Sequence, residues 1–126
     1  MSIGQLERLS SVIDQQELMT RCLNRLDFAE RMLTLFHDQF GEELNQLEQA
    51  FDDGNLASVG KIAHRLQGAC ANAAATGLQS RAAELRNAVN KGSRDETSQR
   101  LSDLQSEWQR FSTAMKPDGS PPNNSN

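Results

Sequence analysis

Six apolar residues, Leu33, Phe36, Phe40, Leu44, Leu47 and Phe51, recur at three- and four-residue spacing until Asp52, Asp53 and Gly54 break the pattern. That spacing lines one face of an α-helix several turns long, whereas in a strand it would scatter the same residues over both faces. A helix with a single apolar face must bury it against other elements. The rest of the chain is punctuated to supply them. Asp14 with Glu17 reads as a capping box, with Ile13 able to staple onto Leu18 across it, opening a short first helix through Leu23. Asp27 with Glu30 opens the long helix, and Asn55 caps a third that carries Leu56, Val59, Ala63, Leu66 and Cys70 inward. Thr76 with Gln79 starts a fourth, with Leu78, Ala82, Leu85 and Val89 inward until Lys91 and Gly92. Ser93 with Glu96 starts the last, whose stripe is Leu101, Leu104, Trp108, Phe111 and Met115. Short connections favour antiparallel neighbours, so the expected fold is all-α: an antiparallel up-and-down four-helix bundle with a short additional N-terminal helix. The bundle is expected over residues 1–115. Residues 116–126, mostly proline, glycine, serine and asparagine with Lys116 and Asp118, are expected to form a disordered tail.

At 126 residues the chain has the length of one domain. Its formal charge of -4 and pI near 5.1 repel phosphate backbones and anionic lipid, which argues against nucleic acid as a partner. No apolar run approaches the roughly 20 residues that cross a bilayer, and the N-terminus lacks a signal-peptide pattern, so a cytoplasmic protein without membrane insertion is expected. A core closed by its own helices predicts a monomer. Cys22 and Cys70 fall at apolar helix positions and read as reduced core residues; a disulfide between them would need an oxidising compartment, of which the sequence gives no sign.

The middle of the third helix is unusual. His64 has Gly60 one turn before it and Gly68 one turn after it, although glycine inside a helix costs about 1 kcal/mol relative to alanine. Helical spacing adds Ala57, Lys61, Gln67, Ala71 and Ala75 to the neighbourhood, all small or flexible and polar. His64 lies about 100° around the axis from the inward Ala63, so it points away from the core stripe. The ring is expected to stand above a bare platform that a second protein can approach. One glycine alone is also explicable by close helix contact.

Hydrolase chemistry finds no support, because the chain has two histidines, no tyrosine and no recognisable nucleophile arrangement. A carboxylate-bridged metal site would show Glu-x-x-His pairs, yet Thr34 and Lys61 stand three residues before His37 and His64. A glycine-rich phosphate loop is also lacking, so the chain should not bind ATP by itself. His37, beside the long apolar stripe, is expected at the border of core and solvent, and Phe36, Phe40, Phe51, Trp108 and Phe111 are expected in the core. What remains is an exposed imidazole with Lys61 and Arg65 near it. Imidazole ordinarily has a pKa of about 6.5 and in its neutral form is a good nucleophile near pH 7. Attack on an activated phosphoryl group would give a phosphoramidate, with a partner supplying the remaining catalytic groups.

The run Ala63-His64-Arg65-Leu66-Gln67-Gly68-Ala69, followed by Leu78 and Leu85, resembles the signature of histidine phosphotransfer (HPt) domains, the carriers of multistep phosphorelays. The likeness extends from about Asp14 to Val89. It implies a helical bundle with His64 as phosphoacceptor, Gly68 as the small residue that leaves it accessible, and Leu66 in the core. It further implies a phosphoryl group that comes from an aspartate on one receiver domain and goes to an aspartate on another, the partners being the receivers of a hybrid sensor histidine kinase and of a response regulator. Any Mg2+ is expected on the partner receiver, with no metal or cofactor held by this chain and no autonomous kinase activity. Gln67 stands where the family usually has a lysine beside the phosphohistidine, and Ala74 at a frequent glycine position. Gln67 can donate a hydrogen bond but cannot neutralise charge, so Lys61 or Arg65 is expected to substitute in part. Two further readings stay open: a module that sequesters a receiver without carrying phosphate, and a bundle that only scaffolds other proteins.

Overall fold

The computed structural model describes residues 1–116, so all but the first residue of the expected tail lies outside the described residues. Among the described residues six α-helices follow one another: α1 Ile3–Arg8, α2 Gln15–Arg21, α3 Leu26–Asp52, α4 Leu56–Asn72, α5 Thr76–Asn90 and α6 Arg94–Met115. A single 3-10 turn, Leu9–Ser11, joins α1 to the segment before α2. The all-helical expectation holds, and α3 to α6 form the antiparallel bundle. Its N-terminal addition is larger than expected, two short helices and a 3-10 turn instead of one helix.

The apolar periodicity converts directly into a core. Leu33, Phe36, Phe40, Leu44 and Leu47 of α3 are buried, as are Val59, Ala63, Leu66 and Cys70 of α4 and Leu78, Ala82 and Leu85 of α5. Ile62 joins them, and Ala88 rather than Val89 completes the inward face of α5. Helix α6 closes on α3 through rings: Phe36 meets Phe111 edge to face at 5.4 Å, and Trp108 stacks on Phe40 at 4.7 Å. His37 belongs to this cluster, stacked on Trp108 at 4.6 Å with its Nε2 3.0 Å from Ser112 Oγ, which accounts for it structurally. Cys22 and Cys70 are both buried free thiols.

The helix starts depart from expectation in instructive ways. Asp14, Asn55 and Ser93 do cap their helices, each accepting a backbone N–H three residues on. The reciprocal halves of the expected boxes do not form, because Glu17 pairs with Arg21 and Glu96 with Lys91. A complete capping box occurs instead at Ser2 and Gln5, opening the unexpected α1. Helix α3 begins at Leu26 with Arg25 at the cap position, and Asp27 lies inside the first turn, bound bidentately by the Arg25 guanidinium. Thr76 is likewise the first helical residue of α5 and does not cap it; buried Ala75 takes that position without a side-chain bond. The Glu107 carboxylate reaches across from α6 and lies where a side chain at Gly77 would be, placing negative charge at the positive end of α5.

The stops are uniform. Leu23, Gly54, Ala74 and Gly92 follow the last residues of α2 to α5 and all adopt positive φ, between 56° and 75°. For α2, α3 and α4 the next residue closes the full Schellman pair: Asn24 bonds Met19, Asn55 bonds Ala50 and Ala75 bonds Cys70. Helix α2 therefore ends at Arg21, with Leu23 in its closing turn. The α4–α5 turn is tied down from outside as well, since Asp14 N–H donates to Ala74 O and Arg21 donates to Ala71 O.

Candidate functional site

Helix α4 presents different sides to its neighbours. Val59, Ala63, Leu66 and Cys70 face the core, and the opposite side carries Ala57, Lys61, His64 and Gly68. His64 is exposed near the middle of the helix. A side chain built at Gly68 would meet nothing within 4 Å, so beyond the ring the surface is open.

Gly60 serves a different purpose. A Cβ there would come within 3.1 Å of Val89 Cγ1 on α5, so the missing side chain lets α4 and α5 approach at that level. The expectation that Gly60 clears the approach to the ring is replaced by close helix packing, and Val89 is half-buried on that glycine instead of pointing inward. Ala75 also leaves the expected platform, because α4 ends at Asn72 and Ala75 is buried in the turn.

The close approach brings a residue that sequence reasoning missed. An open recess of about 310 Å3 between α4 and α5 is lined by Lys61 and His64 from one helix and Arg86 and Asn90 from the other, with Gly60 and Val89 at its floor. Antiparallel register explains the meeting. If Gly60 is level with Val89, then one turn further along α4 and one turn back along α5 His64 is level with Arg86. Only the pairing of Gly60 with Val89 could have shown this beforehand, and two separate helical patterns do not fix it.

Arg65 and Gln67 are not in the recess. Arg65 turns toward α3, where its Nε lies 2.7 Å from Glu43 Oε1. Gln67 follows Gly60 by seven residues and so lies on the α5 side of the helix, half-buried, with an Oε1 that is buried and unpaired. Of the residues expected to steady a phosphoryl group, the structure brings only Lys61 together with His64. Neither Lys61 nor Arg86 has an ion-pair partner among the described residues. On the other flank, α3 exposes Leu35, which with Met32, Gln39, Ala69 and Asn72 borders a second, mainly apolar groove of about 310 Å3.

No group of three or more potential metal ligands occurs among the described residues, and none of the described helices is long and apolar enough to cross a membrane. A family model for the Hpt domain matches residues 31–114, which contain His64, the recess and most of the bundle. The chain belongs to the Hpt domain family. That family consists of phosphocarrier modules, and a phosphotransfer role follows from membership. The structure resembles that of a protein described as a histidine-containing phosphotransfer protein from rice, with a TM-score of 0.74 and 20% identity over 89% of this chain and 86% of that one. It also resembles a histidine-containing phosphotransfer protein from maize, with a TM-score of 0.71 and 19% identity over 89% of this chain and 90% of that one. At such identities the likeness speaks for the fold. A search of curated proteins gave no match.

Proposed function

We propose that this chain carries a phosphoryl group on His64 between receiver domains of a two-component phosphorelay. The observation that carries the reading is the placement of an exposed imidazole at mid-helix, with open space over Gly68 on one side and a cationic recess on the other, in a chain of the Hpt domain family. The unprotonated ring nitrogen of His64 attacks the phosphorus of a receiver's aspartyl phosphate. The P–O bond to the carboxyl group breaks and the carboxylate leaves with the bonding pair; the proton on the other ring nitrogen then passes to water. Transfer onward reverses these steps on a second receiver, whose aspartate regains the group.

Phosphoryl transfer depends on positioning and charge neutralisation more than on covalent help, so the receiver supplies the Mg2+ and most of the catalytic groups. The carrier then has no kinase activity of its own, binds no cofactor, acts as a monomer and belongs in the cytoplasm. Its partners are the receiver of a hybrid sensor histidine kinase and that of a response regulator. The receiver docks over Gly68, reaching the apolar groove beside Leu35.

Incubation with phosphorylated receiver domains tests this. Acid-labile, base-stable phosphate is expected on the wild type and none on His64→Ala. Receiver binding without label on the wild type would favour the sequestering module, and neither binding nor label would leave the scaffold.

A further inference from the structure

Lysine at the position of Gln67 would put a cation beside the phosphohistidine, and this chain has none there. Arg65, the adjacent candidate, already has its guanidinium against Glu43 on α3. The charge has a different source. We propose that Arg86 of α5, assisted by Lys61, is the cationic partner of the phosphoryl group on His64, so that the group sits in the recess between α4 and α5. The inference rests on His64 being the phosphoacceptor.

Three observations support it. First, Arg86 and Lys61 line the same recess as the ring, and no carboxylate lines it. Second, Arg86 is half-buried and has no ion-pair partner among the described residues, whereas arginines elsewhere in the bundle, such as Arg65, Arg81 and Arg100, are paired. An unpaired arginine beside a bare imidazole has its hydrogen-bonding fork available for a phosphoryl group, to which it can bind bidentately. Third, the recess is built: Gly60 admits Val89 at a distance that brings the two helices together at this level. The charged groups near the ring are Lys61 and Arg65 on α4 and Arg86 on α5, with Glu43 of α3 engaged by Arg65.

A cation against the phosphoryl oxygens favours the dianion, in which their charge is greatest. It also slows spontaneous P–N cleavage in water, because the bond is labile to acid and a cation beside it disfavours the protonated forms that break down. The test charges the full chain with potassium phosphoramidate, in which the ring displaces ammonia from phosphorus, and follows phosphohistidine by 31P NMR. Wild type, Arg86→Ala, Arg86→Lys, Lys61→Ala and Arg65→Ala are compared. In Arg86→Ala the phosphoryl titration midpoint should rise and the half-life fall about tenfold or more, the lower end of the scale of one charge-assisted hydrogen bond. Arg86→Lys should recover part of both effects, Lys61→Ala should show a smaller loss, and Arg65→Ala should match the wild type. An Arg86→Ala protein that titrates and decays like the wild type overturns the proposal, as does one whose loss Arg86→Lys leaves unrelieved. Transfer from the charged wild type to a receiver with Mg2+ is measured separately. Its failure would remove the carrier function while leaving the Arg86 result readable.

Discussion

Gly60 and Gly68 flank the same histidine at equal distance in sequence, yet their surroundings predict opposite consequences of filling them. Gly68 faces open space, and glutamine is a better helix former by roughly 0.5–1 kcal/mol. Gly68→Gln should therefore leave the fold intact or slightly more stable in urea while abolishing transfer from a phosphorylated receiver; full transfer would show that open space over the ring is not needed. At Gly60 the added methyl meets Val89 Cγ1 at 3.1 Å, and overpacking of this kind costs about 1–3 kcal/mol against a propensity gain of about 1. Gly60→Ala should be net destabilised in urea melts, and Val89→Ala in the same chain should relieve it, giving a coupling energy of about 1 kcal/mol or more. Additive effects would mean that the helices do not rely on this contact. Sequence alone marks both glycines as anomalous around His64. It cannot separate them, because only the partner helix distinguishes a contact from a clearing.

At the level of elements, stops and starts were not equally legible. Gly54 and Gly92 announce the ends of α3 and α5, whereas Leu23 and Ala74 hold the same left-handed position without a residue that advertises it. Ala74 is the departure from the family's frequent glycine, and its φ of 56° gives the physical reason for glycine there. A left-handed conformation costs a non-glycine residue roughly 1–2 kcal/mol, against which glycine loses about 0.4–1 kcal/mol through the freer unfolded chain. Leu23 is 74% exposed and has little burial to lose, so Leu23→Gly should stabilise the protein by about 0.5–1 kcal/mol in urea at an unchanged slope. At Ala74, only 4% exposed, the methyl lost from the core removes a further 0.8 kcal/mol or so, and the substitution should be close to neutral. A larger gain at Ala74 than at Leu23 would contradict this account. The starts misled for a related reason. Asp27 and Thr76 satisfy the capping pattern in sequence, but Arg25 claims the carboxylate of the first and Glu107, from the far end of the chain, occupies the mouth of α5. Local signals fail where a distant side chain takes over their task.

For the molecule as a whole, the apolar stripes were enough to place the core and the bundle, and His64 was legible as the residue the core did not need. The recess was not legible, since Arg86 gains its meaning only from the register of α5 on α4. The same tight interior predicts how the bundle responds to alkali. Burial pushes the Cys70 thiol up to about 12 from a reference of 9.0, and burial raises Cys22 as well. Below pH 9.0 the thiol is protonated in both the folded and the unfolded chain, so it makes no difference to stability. Between pH 9.0 and about 12 the unfolded chain releases the Cys70 proton that the folded chain keeps, so the unfolded state binds fewer protons and stability must fall with rising pH. The slope approaches 1.4 kcal/mol per pH unit, or about 2 kcal/mol lost between pH 8 and pH 10.5 from this thiol alone. Urea melts at those two pH values should show the loss in the wild type, and Cys70→Ala, although less stable throughout, should lose correspondingly less on going to pH 10.5. Because the thiolate is the reactive form, the native protein should also resist alkylation at Cys70 at pH 8 until denaturant opens the bundle. Equal pH losses in the wild type and Cys70→Ala, or rapid native labelling at Cys70, would show that the seam between α4 and its neighbours opens far more readily than its packing implies.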